Sequence, residues 1–100
     1  EGGVRAMTRT EAEAMLDGQV EGWVLAVDAK QISKWFKFKD FKTALPFVNQ
    51  VGALAESEGH HPDIHLTDYN QVTISLSTHA IGGLSRNDLI LAAKINELNP

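Results

Sequence analysis

Cysteine is absent from this chain of 100 residues, which excludes disulfides, thiolate nucleophiles and cysteine-ligated zinc outright. No apolar run approaches the ~20 residues that a membrane-spanning helix needs. No charged-then-apolar signal sequence opens the chain. A long basic run is missing too, and the formal net charge is −4, so direct nucleic-acid binding through a positive face is disfavoured. The one lysine-rich patch, Lys34, Lys37, Lys39 and Lys42, is interleaved with Trp35, Phe36, Phe38 and Phe41; it reads as a strand and helix start with solvated lysines. Neither a Gly-x-Gly-x-x-Gly nor a phosphate loop occurs, and there is no Gly-x-Ser-x-Gly elbow. Nucleotide cofactors and serine hydrolysis therefore have no foothold.

What the chain does have is enough apolar material, 43%, for one small globular core. Residues 1–7 read as a disordered leader preceding the fold, and residues 8–100 as a single domain. Thr10 can cap a first short helix, with Glu11 and Glu13 where the helix dipole favours negative charge, and Gly18 stops it. Trp23, Leu25 and Val27 alternate as a strand, Asp28-Ala29 turns, and Ile32 to Phe38 is a β-branched and aromatic second strand completing a hairpin. Asp40 caps a longer helix whose apolar stripe is Phe41, Leu45, Val48, Val51 or Gly52, and Ala55, ending at Gly59. Pro46 should kink it or mark its true start. Ile64 and Leu66 begin a third strand, Asp68-Tyr69-Asn70 turns, and Val72, Ile74 and Leu76 give the fourth strand one apolar face. Gly82-Gly83 breaks it, and Ser85-x-x-Asp88 is a capping box for a last helix carrying Leu89, Ala92, Ala93 and Ile95 inward. The order α-β-β-α-β-β-α describes an α+β fold, a four-stranded antiparallel sheet with helices packed on one face.

All four histidines lie between Glu56 and His79. Histidine is the side chain that exchanges protons near neutrality. Glu56 and His60 are four apart at a helix end and share a face, while His61 points elsewhere and Pro62 stiffens the corner. Ser77 and His79 share the polar face of the fourth strand. Packing the helix end against the strand end would gather His60, His61 and His79 around one pocket, a general acid–base layout. His65 alternates with Ile64 and Leu66 and reads as a solvent-side strand residue. Glu56 could be only an exposed helical carboxylate, Asp88 is accounted for as a helix cap, and Trp23 and Trp35 fit core or interface positions. Zinc is the rival reading, weakened because adjacent histidines seldom face one ion.

The spaced set Glu56-x-x-x-His60-His61-Pro62, Tyr69, His79 and Asp88 resembles the pterin-4a-carbinolamine dehydratases. So do Tyr69-Asn70-x-Val72, Ser77-Thr78-His79, Phe38-Lys39-Asp40-Phe41 and Gly83-Leu84-Ser85, and the likeness runs from about Thr8 to Leu98. The resemblance implies the same α+β fold and a hydro-lyase activity. That activity is dehydration of 4a-hydroxytetrahydropterin to quinonoid dihydropterin, recycling the cofactor of aromatic amino-acid hydroxylases. It implies no metal and no organic cofactor. It implies His60, His61 and His79 as catalytic residues, with Glu56, Ser77, Thr78 and Trp23 contacting the pterin. It further implies homodimers or homotetramers and a cytoplasmic location. A transcription-factor partner, and with it the nucleus, is implied from animal members, and an assembly-scaffold role from others. Two positions depart from the family pattern. Gly59 stands where many members have Asp or Asn, and Arg86 lies one position earlier than the basic residue that members carry directly before the aspartate.

Overall fold

A computed structural model describes residues 5–17 and 20–98. The elements are α1 (Arg9–Leu16), β1 (Val24–Leu25), β2 (Ile32–Lys37), α2 (Phe41–Glu58), β3 (Asp63–Thr67), β4 (Gln71–Leu76), a single 3-10 turn (His79–Ile81) and α3 (Arg86–Glu97). The sheet order is β1-β2-β4-β3 and every pairing is antiparallel. The α-β-β-α-β-β-α order and the two hairpins are therefore as the sequence implies.

Alternation decides what each strand buries. Ile32 and Phe36 of β2 and Val72, Ile74 and Leu76 of β4 face the helices and are buried. Trp35 faces the opposite, solvated side, where its indole N–H donates to Gln71 Oε1 at 3.1 Å, and His65 is exposed on β3 as expected. The helices bury Ala12 from α1, Ala44, Phe47, Val51 and Ala55 from α2, and Leu89, Leu91, Ala92 and Ile95 from α3. Phe47 sits against Phe36 and Phe38, with ring centroids 4.7 and 5.2 Å away.

Several local expectations shift. The cap of α1 is Thr8, not Thr10: its side chain accepts from the Glu11 N–H while the Glu11 carboxylate accepts from the Thr8 N–H. Gly18, the expected stop, lies outside the described residues. Strand β1 is only two residues long; Val27 is 95% exposed, and the backbone has already turned by Ala29, whose φ is +60°. The buried stripe of α2 is rotated from the expected one, leaving Phe41 and Leu45 largely exposed. Helix α2 runs unbroken through Pro46, because a missing N–H near the start of a long helix removes one bond without ending it. Of the residues expected to precede the fold, Arg5 to Met7 belong to it: Met7 N–H donates to Leu84 C=O at 2.8 Å, and Arg5 forks onto Glu11 at 2.8 and 2.9 Å. Residues 1–4 are outside the described part. Among the described residues no helix is long and apolar enough to cross a membrane.

Candidate functional site

One sheet end gathers the candidate residues: the α2–β3 corner, the end of β4 leading into α3, and the β1–β2 turn. At the first, Gly59 closes α2 in the left-handed region, with φ +64°, a conformation glycine adopts without steric cost. His60 N–H returns to Ala55 C=O at 3.1 Å, and Pro62 cannot continue a helix. The chain therefore leaves α2 abruptly, and His60 and His61 go separate ways.

His60 turns inward to α3. Its Nε2 is hydrogen-bonded to Asp88 Oδ1, and the Asp88 side chain is fully buried. The other carboxylate oxygen, Oδ2, accepts from Thr78 Oγ1 at 2.8 Å and from Ser85 N–H at 3.0 Å. Because the Thr78 hydroxyl proton is committed to Asp88, the Ser85 hydroxyl donates to Thr78 Oγ1, 2.8 Å away. Every buried polar side-chain atom among the described residues has a partner. A buried carboxylate is tolerated only with such compensation. Asp88 thus does more than cap α3: it ties the helix corner, the strand end and the start of α3 to one carboxylate. The Ser85-x-x-Asp88 spacing accounts for only one of its two oxygens, as a helix cap. The second oxygen's partner lies 28 positions away, which no local pattern reveals.

His61 turns outward, and its Nε2 meets Glu56 Oε1 at 2.9 Å, with both side chains exposed. Glu56, expected to share a helix face with His60, pairs with His61 instead. The i, i+4 relation holds only within a helix, and Gly59 interrupts it. An exposed pair of this kind adds little to stability.

His79 is exposed on the 3-10 turn beyond β4, so it does not continue the strand's alternation. With Ser77 and Thr78 it lines a cavity of about 440 Å³, closed on the other side by Ala26, Asp28, Lys30 and Gln31 of the β1–β2 turn and by Gly82 and Gly83. His60 and His61 do not line this cavity. The expected convergence of three imidazoles in one pocket is thus replaced by a linked arrangement: Thr78 belongs both to the cavity wall and to the Asp88 network that holds His60. Trp23, expected to wall the pocket, packs in the core instead. Its indole N–H donates to Asn96 Oδ1 at 3.0 Å, an atom that also accepts from Lys34 Nζ at 2.9 Å. Among the described residues no group of three or more His, Asp or Glu side chains is arranged to hold a metal ion. A larger cavity of about 570 Å³ lies between α1 and the start of α3, lined by Met7, Ala14 and Met15 together with Arg5, Glu11, Ser85, Arg86 and Asn87; no histidine lines it.

Fold and site together define an α+β domain with a buried aspartate holding a half-buried histidine, and a second histidine on an open cavity. The family model described as pterin 4 alpha carbinolamine dehydratase matches residues 5–98, and the chain belongs to that family, a family of hydro-lyases. It is 50% identical over 97 residues to the mitochondrial pterin-4-alpha-carbinolamine dehydratase 2 of Arabidopsis thaliana, covering 95% of this chain and 51% of that one. The chain therefore spans about half the length of that plant relative. It is 50% identical over 98 residues to a Halorhodospira halophila protein provisionally named for the same activity, covering 98% of this chain and 88% of that one. Among solved structures, the transcriptional coactivator/pterin dehydratase of Brucella melitensis superposes with a TM-score of 0.83 at 35% identity, covering 92% of this chain and 96% of that one.

Proposed function

We propose that this chain dehydrates 4a-hydroxytetrahydropterin to quinonoid dihydropterin, the activity carried in its relatives' names, by histidine acid–base catalysis. The carbon–oxygen bond at C4a breaks as the hydroxyl takes up a proton and leaves as water. The neighbouring ring nitrogen gives up its proton, and a carbon–nitrogen double bond forms. The change is redox-neutral, so it calls for proton donors and acceptors and no electron carrier. Each well-placed acid or base contributes roughly 10²–10⁴ in rate.

The observation that carries this reading is the shared carboxylate. Asp88 holds His60 by Nε2, which leaves Nδ1 as the proton-exchanging nitrogen, in the way a buried aspartate orients a catalytic imidazole. The same carboxylate holds Thr78, next in the chain to His79. His60 and His79 are assigned the two proton transfers. Ser77 and Thr78 are assigned to contact the pterin at the cavity. His61, kept in place by Glu56, is assigned to orient the ring and its hydroxyl from the solvent side. Self-association, with protein-partner roles as the second reading, is favoured by the exposed Phe41 and Leu45 flank of α2, a surface apt for a second copy of this chain.

The test is the decay of 4a-hydroxytetrahydropterin generated in solution. Its rate should rise in proportion to added protein, and an oxidised pterin should inhibit competitively. A decay rate equal to that in buffer, with no pterin binding by titration, contradicts the proposal.

A further inference from the structure

The His79 cavity has a far wall that the acid–base assignment leaves unused: the β1–β2 turn. Asp28 and Lys30 both line it. Asp28 is already occupied in shaping the turn, since its Oδ1 accepts from Lys30 N–H at 3.0 Å. Lys30 is different. Its ammonium has no hydrogen-bond or ion-pair partner among the described residues, and its stem reaches across towards the loop that carries His79. A Cβ built on Gly83 would come within 3.9 Å of Lys30 Cγ. A free cation thus stands at the mouth of a small cavity, opposite Ser77 and His79.

The turn is also held from outside. Arg9 Nη2 donates to the carbonyls of Ala26 and Val27, so one guanidinium of α1 grips the backbone immediately before Asp28. Val27 is itself almost fully exposed, and β1 is only two residues long. Backbone bonds close the turn itself, Ala26 N–H donating to Gln31 C=O and Ala29 N–H to Ala26 C=O, both at 2.9 Å; Arg9 ties the closed turn to α1.

We propose that the β1–β2 turn is the second wall of the pterin site, with Lys30 donating a charge-assisted hydrogen bond to a substrate oxygen and Arg9 acting as a positioning residue that holds the turn at its working distance. This rests on the dehydratase reading given above. A pterin presents a 4-oxo group, an acceptor that stays in place while the 4a-hydroxyl leaves and that an oxidised pterin shares. A lysine is a compact point donor suited to such a single oxygen. Because Lys30 makes its contact in the bound substrate and the transition state alike, its loss should appear in KM and not in kcat.

The experiment uses the full chain and two readouts, steady-state dehydration and titration with an oxidised pterin. Lys30→Met keeps the stem and removes the charge; it should raise KM and the pterin Kd about tenfold, the size of one charge-assisted hydrogen bond, with kcat within about twofold. Lys30→Arg should restore most of the loss. Arg9→Met should move KM in the same direction, Arg9→Lys should recover it in part, and Arg9→Met combined with Lys30→Met should be no worse than Lys30→Met alone, since Arg9 acts through the turn. Unchanged KM and Kd in Lys30→Met, or a fall in kcat at constant KM, overturns the proposal. Pterin binding that is sensitive to Lys30 in a protein without turnover overturns the catalytic reading and leaves this one standing. Turnover with binding insensitive to Lys30 does the reverse, and a protein that neither turns over nor binds pterin overturns both.

Discussion

Asp88 is where a single side chain does the most. It is fully buried and accepts from His60, Thr78 and the Ser85 backbone. Replacing it with Asn keeps the volume but puts an amide nitrogen where a donor already points. A buried mismatch of this kind costs about 1–3 kcal/mol, which for a domain of this size lowers Tm by roughly 4–8 °C per kcal/mol. The same change releases His60 from its fixed tautomer, so kcat should fall by about 10² or more. Thermal unfolding and turnover of Asp88→Asn check both effects; turnover within twofold of wild type would show that the carboxylate is structural only. At this scale the sequence was legible where contacts are local. The Thr8, Asp40 and Gly59 positions show how far: Asp40 and Gly59 are readable as helix ends, whereas the choice of Thr8 over Thr10 depends on a cap pairing that both threonines offer in outline. The partners of Asp88, and the outward swing of His61 to Glu56, depend on chain reversal at Gly59 and on packing across the fold, which spacing does not encode.

At the scale of elements, α1 and its leader form a small electrostatic unit. The Arg5 guanidinium, hydrogen-bonded to Glu11, holds the Glu11 carboxyl well below its ordinary value of 4.5, at about 2, with the Thr8 N–H adding to the effect. A carboxyl depressed in the folded state stabilises above its unfolded value and loses that contribution as pH falls. The capping of α1 should therefore be intact above pH 4.5 and fade towards about pH 2. NMR titration of the Glu11 side chain checks this. A midpoint at the ordinary value contradicts it, and Arg5→Ala should move the midpoint towards that value. Element types and order were legible from periodicity, because alternation and helical spacing follow directly from backbone geometry. The phase of α2 was not. Two apolar stripes overlap on that helix, and the one facing the sheet is built partly of alanines, Ala44 and Ala55, where close approach favours small side chains over the larger Phe41 and Leu45.

For the whole molecule, the decisive arrangement is the sheet order β1-β2-β4-β3. It places the end of β4 beside the start of β2, so the β1–β2 turn faces Ser77 and His79, while the α2–β3 corner sits at the same end and reaches Asp88. Hairpins were predictable from sequence neighbours; the pairing of β2 with β4, Ile32 opposite Leu76 through Lys37 opposite Gln71, joins segments far apart in the chain. Sequence spacing can therefore group the histidines, while their division between a buried network and an open cavity depends on that pairing. Turnover of 4a-hydroxytetrahydropterin by the chain carrying both His60→Ala and His79→Ala, with folding verified by its unfolding transition, addresses the assignment of both proton transfers at once. A rate indistinguishable from buffer in a folded protein that still binds an oxidised pterin is the expected result; near wild-type turnover would contradict it.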